Sequence, residues 1–134
     1  QVEEEFPRQG DESILWVDDE LTLMQMCKQT LENVGFKVTF KTDPLEALET
    51  FKMYPETFDL VITDLSMPKM SGFDLSRELS SVRPGIPLLM CTGFGKSLSK
   101  EQTETAGILK VISKPISSKD LISVIREILD RRAV

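Results

Sequence analysis

Four short segments carry residue types that could do chemistry together: Asp18-Asp19-Glu20, Asp64, Thr92-Gly93 and Lys114-Pro115. Each follows an apolar run. Taken singly, all have ordinary explanations. An Asp-Asp pair after a strand is commonly a helix N-cap with a solvated neighbour, and a lone Asp there is commonly a turn residue. Thr92 alone reads as a polar strand end, and Lys114 alone as a surface charge. As a set they have a definite requirement. Three carboxylates crowded at one edge repel, which raises their pKa values unless a cation compensates. Mg²⁺ suits that role, because it takes oxygen ligands, keeps waters, and binds through one or two carboxylates plus a phosphate. Lys114 adds a second positive charge and Thr92 a hydroxyl donor, while a carboxylate can itself be a nucleophile and form an aspartyl phosphate. These are the needs of phosphoryl transfer, in which catalysis is mostly placement and neutralisation of the equatorial oxygens.

The chain contains no histidine, which removes every Ser-His-Asp or Cys-His hydrolase and most zinc sites. Any chemistry must run on carboxylates, hydroxyls, lysine and backbone.

The four segments converge only if the intervening chain builds the right scaffold. Apolar, β-branched runs at Ile14–Val17, Val38–Phe40, Leu60–Ile62, Ile86–Cys91 and Leu109–Ile112 predict five strands, several of them buried on both faces. Helical patterns fill the gaps. Met24, Cys27, Leu31 and Val34 recur at spacings of three and four before Gly35, a stop signal. Asp43-Pro44 predicts an N-cap and first-turn proline for a second helix through Leu45, Leu48 and Phe51. Phe73, Leu75 and Leu79 predict a third, and the mostly polar Ser97–Ala106 a fourth. Leu121, Ile122, Val124, Ile125, Ile128 and Leu129 mark a fifth, capped by Ser117 or Ser118. Five βα units imply an α/β fold with a single five-stranded parallel sheet, right-handed crossovers and helices on both faces. The flavodoxin-like order 2-1-3-4-5 is the natural arrangement, and its loops after the strands open onto one edge.

The length of 134 residues suits one domain, and 40% hydrophobic with 28% charged residues is ordinary for a soluble protein. Residues 1–12 are acidic and carry Pro7 and Gly10, so they read as a linker or disordered tail before a domain over residues 13–134. A net charge of −6 argues against direct nucleic-acid binding. No apolar run approaches the length of a membrane span, and the opening residues do not show the charged-then-apolar pattern that would read as a signal peptide. Cys27 and Cys91 form no CxxC pair and read as reduced core thiols of a cytoplasmic protein.

The pieces ILWVDDE, FDLVITDLSMPKMSG, LLMCTGF and ISKPI resemble the response-regulator receiver family, in order and at its spacing, from about Ser13 to the C-terminus. The resemblance implies a phosphoacceptor receiver in a two-component His-to-Asp phosphorelay, not an independent enzyme, though it assists its own phosphorylation and dephosphorylation. It implies Asp64 as phosphoacceptor, Mg²⁺ as cofactor with Mn²⁺ as a substitute, and a metal site built from Asp18, Asp19, Asp64 and the Ser66 carbonyl. Asp19 would ligate directly and Asp18 largely through water. Thr92 would bond a phosphoryl oxygen and swing inward, and Lys114 would pair with the acceptor carboxylate or the phosphate. The Lys114–Pro115 bond would be cis, and Met67, Pro68 and Gly72 would shape the rim. The donor would be a histidine kinase or a histidine phosphotransfer domain, and any homodimer would form through the fourth and fifth helices.

Two residues, Val111 and Phe94, stand out against the family pattern. Val111 occupies the place of the usual switch aromatic. Phe94 and Ser66 occupy the positions that govern access of the hydrolytic water, and the bulk of Phe94 predicts a shielded phosphate. The acidic opening and the TGFGK loop resemble carboxy-terminal receivers of hybrid sensor histidine kinases, whose parent can be membrane-anchored; a stand-alone regulator is the alternative. An aspartate-nucleophile phosphatase of the haloacid-dehalogenase type would place Asp-x-Asp after the first strand, whereas here the pair is adjacent. An inactive pseudo-receiver would not need the complete acidic set.

Overall fold

The computed structural model describes residues 10–93 and 98–132, apart from the side chains of Leu23 and Arg132. Ten elements alternate: β1 (Ser13–Val17), α1 (Leu21–Asn33), β2 (Lys37–Lys41), α2 (Pro44–Met53), β3 (Leu60–Asp64), α3 (Gly72–Val82), β4 (Leu88–Thr92), α4 (Lys100–Ala106), β5 (Lys110–Ser113) and α5 (Ser118–Arg132). The strands form one parallel sheet in the order β2-β1-β3-β4-β5, as the βα alternation predicts. No helix among the described residues is long and apolar enough to cross a membrane.

Side chains alternate across a strand, and that period divides the core in two. Ile14 and Trp16 of β1, Leu60 and Ile62 of β3, and Leu89 and Cys91 of β4 face α1 and α5, meeting Met24, Leu31, Leu121 and Ile125. Leu15, Val17, Val61, Leu88 and Met90 face the other way, onto Ala47 and Phe51 of α2, Leu75 and Leu79 of α3, and Ala106 of α4. The central strands β3 and β4 are buried at every position, whereas the edge strand β5 buries only Ile112. Burial on both faces pins the register, since a one-residue slip would exchange the two cores.

Local chemistry sets the helix ends. The Asp43 carboxylate accepts from Leu45 N at 2.9 Å, with Pro44 in the first turn. Ser71 caps α3 through Asp74 N and Ser117 caps α5 through Asp120 N, each at 3.1 Å; of the two candidate caps for the last helix, Ser117 is the one used. The fourth helix is shorter than Ser97–Ala106. It starts at Lys100, behind a reciprocal capping box in which Ser99 and Gln102 each accept from the other's main chain. Gly107 ends it in the left-handed conformation, φ 78°. The fourth strand is also displaced, from Ile86–Cys91 to Leu88–Thr92, so Thr92 belongs to the strand and does not follow it.

The ordered fold reaches back before β1. Glu12 makes a two-pronged ion pair with Arg126 of α5, at 3.2 and 2.9 Å, and its carbonyl accepts from Lys37 N. Residues 1–9 of the predicted linker lie outside the described residues.

Candidate functional site

In this topology the C-terminal ends of β1, β3, β4 and β5 adjoin one another, and each delivers one of the chemistry-bearing segments. Asp18 follows β1, where its amide bonds to Lys41 O of β2 at 3.1 Å. Asp64 is the last residue of β3 and Thr92 the last of β4. Lys114 follows β5, tied by its own amide to Thr92 O at 2.8 Å. The Lys114–Pro115 bond is cis, as the family resemblance implies.

One oxygen from each of Asp18, Asp19 and Asp64 lies within 4.8 Å of the others. Asp18 and Asp64 are buried and Asp19 is exposed. Lys114 Nζ stands among acids: 2.9 Å from Asp18 Oδ2, 3.2 Å from Asp64 Oδ1 and 3.3 Å from Glu20 Oε1. The second oxygen of Asp18 accepts from Glu20 N at 3.0 Å, so both of its oxygens are engaged. Burial, then the charge of Asp18, push the Asp64 carboxyl above its usual range, with Lys114 pulling the other way. Burial alone would lower Lys114, but its hydrogen bond to Asp18 and the charges of Asp18 and Asp64 outweigh this and hold it above its ordinary value. The lysine is therefore cationic throughout the physiological range. The acidic surplus is only partly neutralised, and the donor set is all oxygen, which fits a hard divalent cation better than a soft one.

The β3–α3 loop forms one wall. Leu65 N bonds to Cys91 O at 2.9 Å and Gly72 N to Leu65 O at 2.8 Å, closing the loop on itself. Lys69 takes a positive φ of 75°, and its ammonium reaches Asp43 Oδ2 at 2.8 Å, which ties the loop to the α2 cap. Ser66, Gly93 and Lys114 join Asp19, Glu20 and Asp64 around an open cleft of about 310 Å³. A smaller cavity of about 50 Å³ lies beneath, bordered by Trp16, Cys27, Cys91, Asp18 and Lys114.

Thr92 is buried, and its hydroxyl donates to Ile112 O at 3.4 Å. That is long for an O–H···O bond, so the hydroxyl is weakly held and can turn. Val111 is half-buried and packs on the α2–α3–α4 core. Phe94 lies outside the described residues. The structure thus brings together Asp18, Asp19, Asp64, Ser66 and Lys114, with Thr92 one strand away. Glu20 is the member that residue types alone did not assign. The signal for it was its place directly after the acidic pair; its pairing with a lysine 94 residues distant was not visible.

A family model described as the response regulator receiver domain matches residues 14–126. The chain is 29% identical over 116 residues to the response regulator receiver protein CpdR of Brucella abortus, covering 87% of this chain and 95% of that protein. It is 32% identical over 120 residues to a CpxR-homologous transcriptional regulatory protein of Haemophilus influenzae, covering 90% of this chain but 51% of that one. The chain thus spans nearly all of the first relative and about half of the second. Among solved structures, a response regulator receiver domain protein from Clostridium thermocellum superposes with a TM-score of 0.84 at 32% identity, covering 91% of this chain and 97% of its own. A CheY-like receiver from Methanospirillum hungatei gives 0.82 at 31%, with 92% and 98% covered.

Proposed function

The chain belongs to the response regulator receiver domain family, and on that premise we propose that it accepts a phosphoryl group on Asp64 in a Mg²⁺-dependent step of a His-to-Asp phosphorelay. The observation that carries the reading is the placement of Asp64 Oδ1 3.2 Å from Lys114 Nζ, beside carboxylate oxygens of Asp18 and Asp19 close enough to share one cation.

Asp19, Asp64 and the Ser66 carbonyl would hold Mg²⁺, with Asp18 acting largely through water; Mn²⁺ would substitute. Bound there, the ion would neutralise charge on the transferring oxygens. The remaining work belongs to the chain's own groups. An Asp64 oxygen attacks phosphorus while the donor's bond to phosphorus breaks and the leaving group takes the electron pair. Lys114, already cationic, exchanges a carboxylate partner for a phosphoryl oxygen. The loosely bonded Thr92 hydroxyl turns from Ile112 O to a second phosphoryl oxygen. Because Lys114 N is bonded to Thr92 O, this movement is felt in β5 and at the start of α5. With Val111 in place of an aromatic, the output passes through displacement of β5 and α5 instead of rotation of a ring.

The donor is a histidine kinase or a histidine phosphotransfer domain, since this chain has no histidine. Its parent is a hybrid sensor kinase or a multidomain regulator, with a stand-alone regulator as the alternative. The chemical test is the character of the adduct. After incubation with a small phosphodonor and Mg²⁺, the label should be released by neutral hydroxylamine, which cleaves acyl phosphates, and should fail to form in excess chelator. A label that resists hydroxylamine, or that forms equally without divalent cation, would contradict the reading.

A further inference from the structure

Glu20 stands at the N-cap of α1, yet its side chain caps nothing. Glutamate is not among the residues favoured there, and its carboxylate turns instead to Lys114, at 3.3 Å. An ammonium has three N–H donors, and Lys114 faces three acidic partners, Asp18, Asp64 and Glu20. Any phosphoryl oxygen that is to meet Lys114 must displace one of them. Asp18 is nearly inaccessible, with side-chain exposure of 2%, so releasing it would strand a buried charge. Asp64 is the attachment point. Glu20 is 61% exposed and makes the longest of the three contacts, so it is the partner most cheaply released. It also borders the cleft through which a donor must enter.

We propose that Glu20 makes the site discriminate among phosphodonors by charge, disfavouring dianionic acyl phosphates relative to donors whose phosphoryl group is bonded to a protonated nitrogen. This rests on the reading of Asp64 as acceptor. Two carboxylates, Glu20 and Asp64, contact the same ammonium, so the donor's charge is met by Glu20 as it nears the reacting oxygen. The repulsion grows with the negative charge the donor carries. With an acyl phosphate, the Asp64 oxygen bonds to phosphorus as the acyl P–O bond breaks, and a carboxylate leaves with the electron pair. With phosphoramidate, the P–N bond breaks and ammonia leaves with the pair, its nitrogen already carrying the proton.

The test compares initial phosphorylation rates of wild type, Glu20→Gln and Glu20→Lys at fixed Mg²⁺ and pH, with acetyl phosphate and with phosphoramidate. Removing the charge should raise the ratio of the acetyl phosphate rate to the phosphoramidate rate by at least about threefold, and Glu20→Lys should raise it further. In wild type the same ratio should climb as salt is added and screens the carboxylate, while in Glu20→Gln it should stay nearly flat. A Glu20 that merely holds Lys114 would change both rates by one factor and leave the ratio insensitive to salt; that result would overturn the proposal. Wild type that takes no label from either donor would overturn the Asp64 reading itself, and this inference with it.

Discussion

Gly72 lies directly against the main chain of Asp64: a Cβ at Gly72 would sit 2.1 Å from the Asp64 carbonyl oxygen and 2.9 Å from its carbonyl carbon. Both obstacles are backbone, so no side-chain rotation relieves the overlap. The first turn of α3 is thereby seated on the end of β3, and the main chain of Asp64 is held from behind.

Gly72→Ala should therefore destabilise the fold by about 1–3 kcal/mol, the usual range for forced overpacking, and should slow phosphorylation by displacing Asp64. Gly93→Ala is the control, because a Cβ there meets nothing within 4 Å. Urea unfolding of both variants checks the stability, and labelling with a small phosphodonor checks the rate for Gly72→Ala. Equal stability of the two variants would contradict the steric account.

Asp64 is held above its ordinary pKa chiefly by burial, then by Asp18, against the pull of Lys114. For a raised carboxyl, the favourable contribution is full below the unfolded pKa and is lost as pH rises through the folded value. At neutral pH, with Asp64 ionised, the wild type carries that loss, and Asp64→Asn escapes it. In metal-free buffer Asp64→Asn should melt a few degrees higher at neutral pH, with the difference shrinking as pH falls toward about 4, where an unfolded Asp titrates. Thermal unfolding followed by circular dichroism across that range is the measurement. A variant less stable than wild type at neutral pH would contradict the assignment of burial and repulsion as the dominant effects.

Lys114 is the only cation paired with the buried Asp18 and Asp64 among the described residues. Lys114→Ala removes it and should cost about 1–3 kcal/mol, less than a fully buried pair because the lysine is partly exposed. Mg²⁺ should then restore more stability in the variant than it adds to wild type, since it meets a stronger uncompensated charge. Melting with and without Mg²⁺ tests this; an equal gain in both proteins would argue against a shared acidic site.

Asp19 is the exposed member of the acidic trio, so Asp19→Ala should leave the fold intact while abolishing saturable Mg²⁺ binding. Trp16 borders the cavity that also touches Asp18 and Lys114, which makes its fluorescence a suitable reporter. Mg²⁺ titration that saturates identically in the variant and the wild type would remove Asp19 from the site.

Much of the scaffold was legible because it is written in a simple period. The runs at β1, β3 and β4 are apolar at nearly every position, and burial on both faces of a parallel sheet demands that. The limits were physical. Helix α4 buries only Ala106, so no apolar stripe marks its extent; its start is set by the Ser99–Gln102 box, which is a matter of hydrogen bonds. The end of β4 was misplaced because Thr92, although polar, is buried and paired within the ladder. The site residues were legible as strand-end positions, since topology alone makes those positions neighbours. The contact of Glu20 with Lys114 was not, because the two are distant in the chain and the contact depends on one side chain's direction.

The most direct test of the central claim is intact mass spectrometry after incubation with acetyl phosphate and Mg²⁺, comparing wild type with Asp64→Asn. Wild type should gain the mass of one phosphoryl group, and Asp64→Asn, which keeps the shape of the side chain but loses the nucleophilic carboxylate, should gain none. Equal labelling of the two proteins would contradict the account, because it would place the acceptor elsewhere.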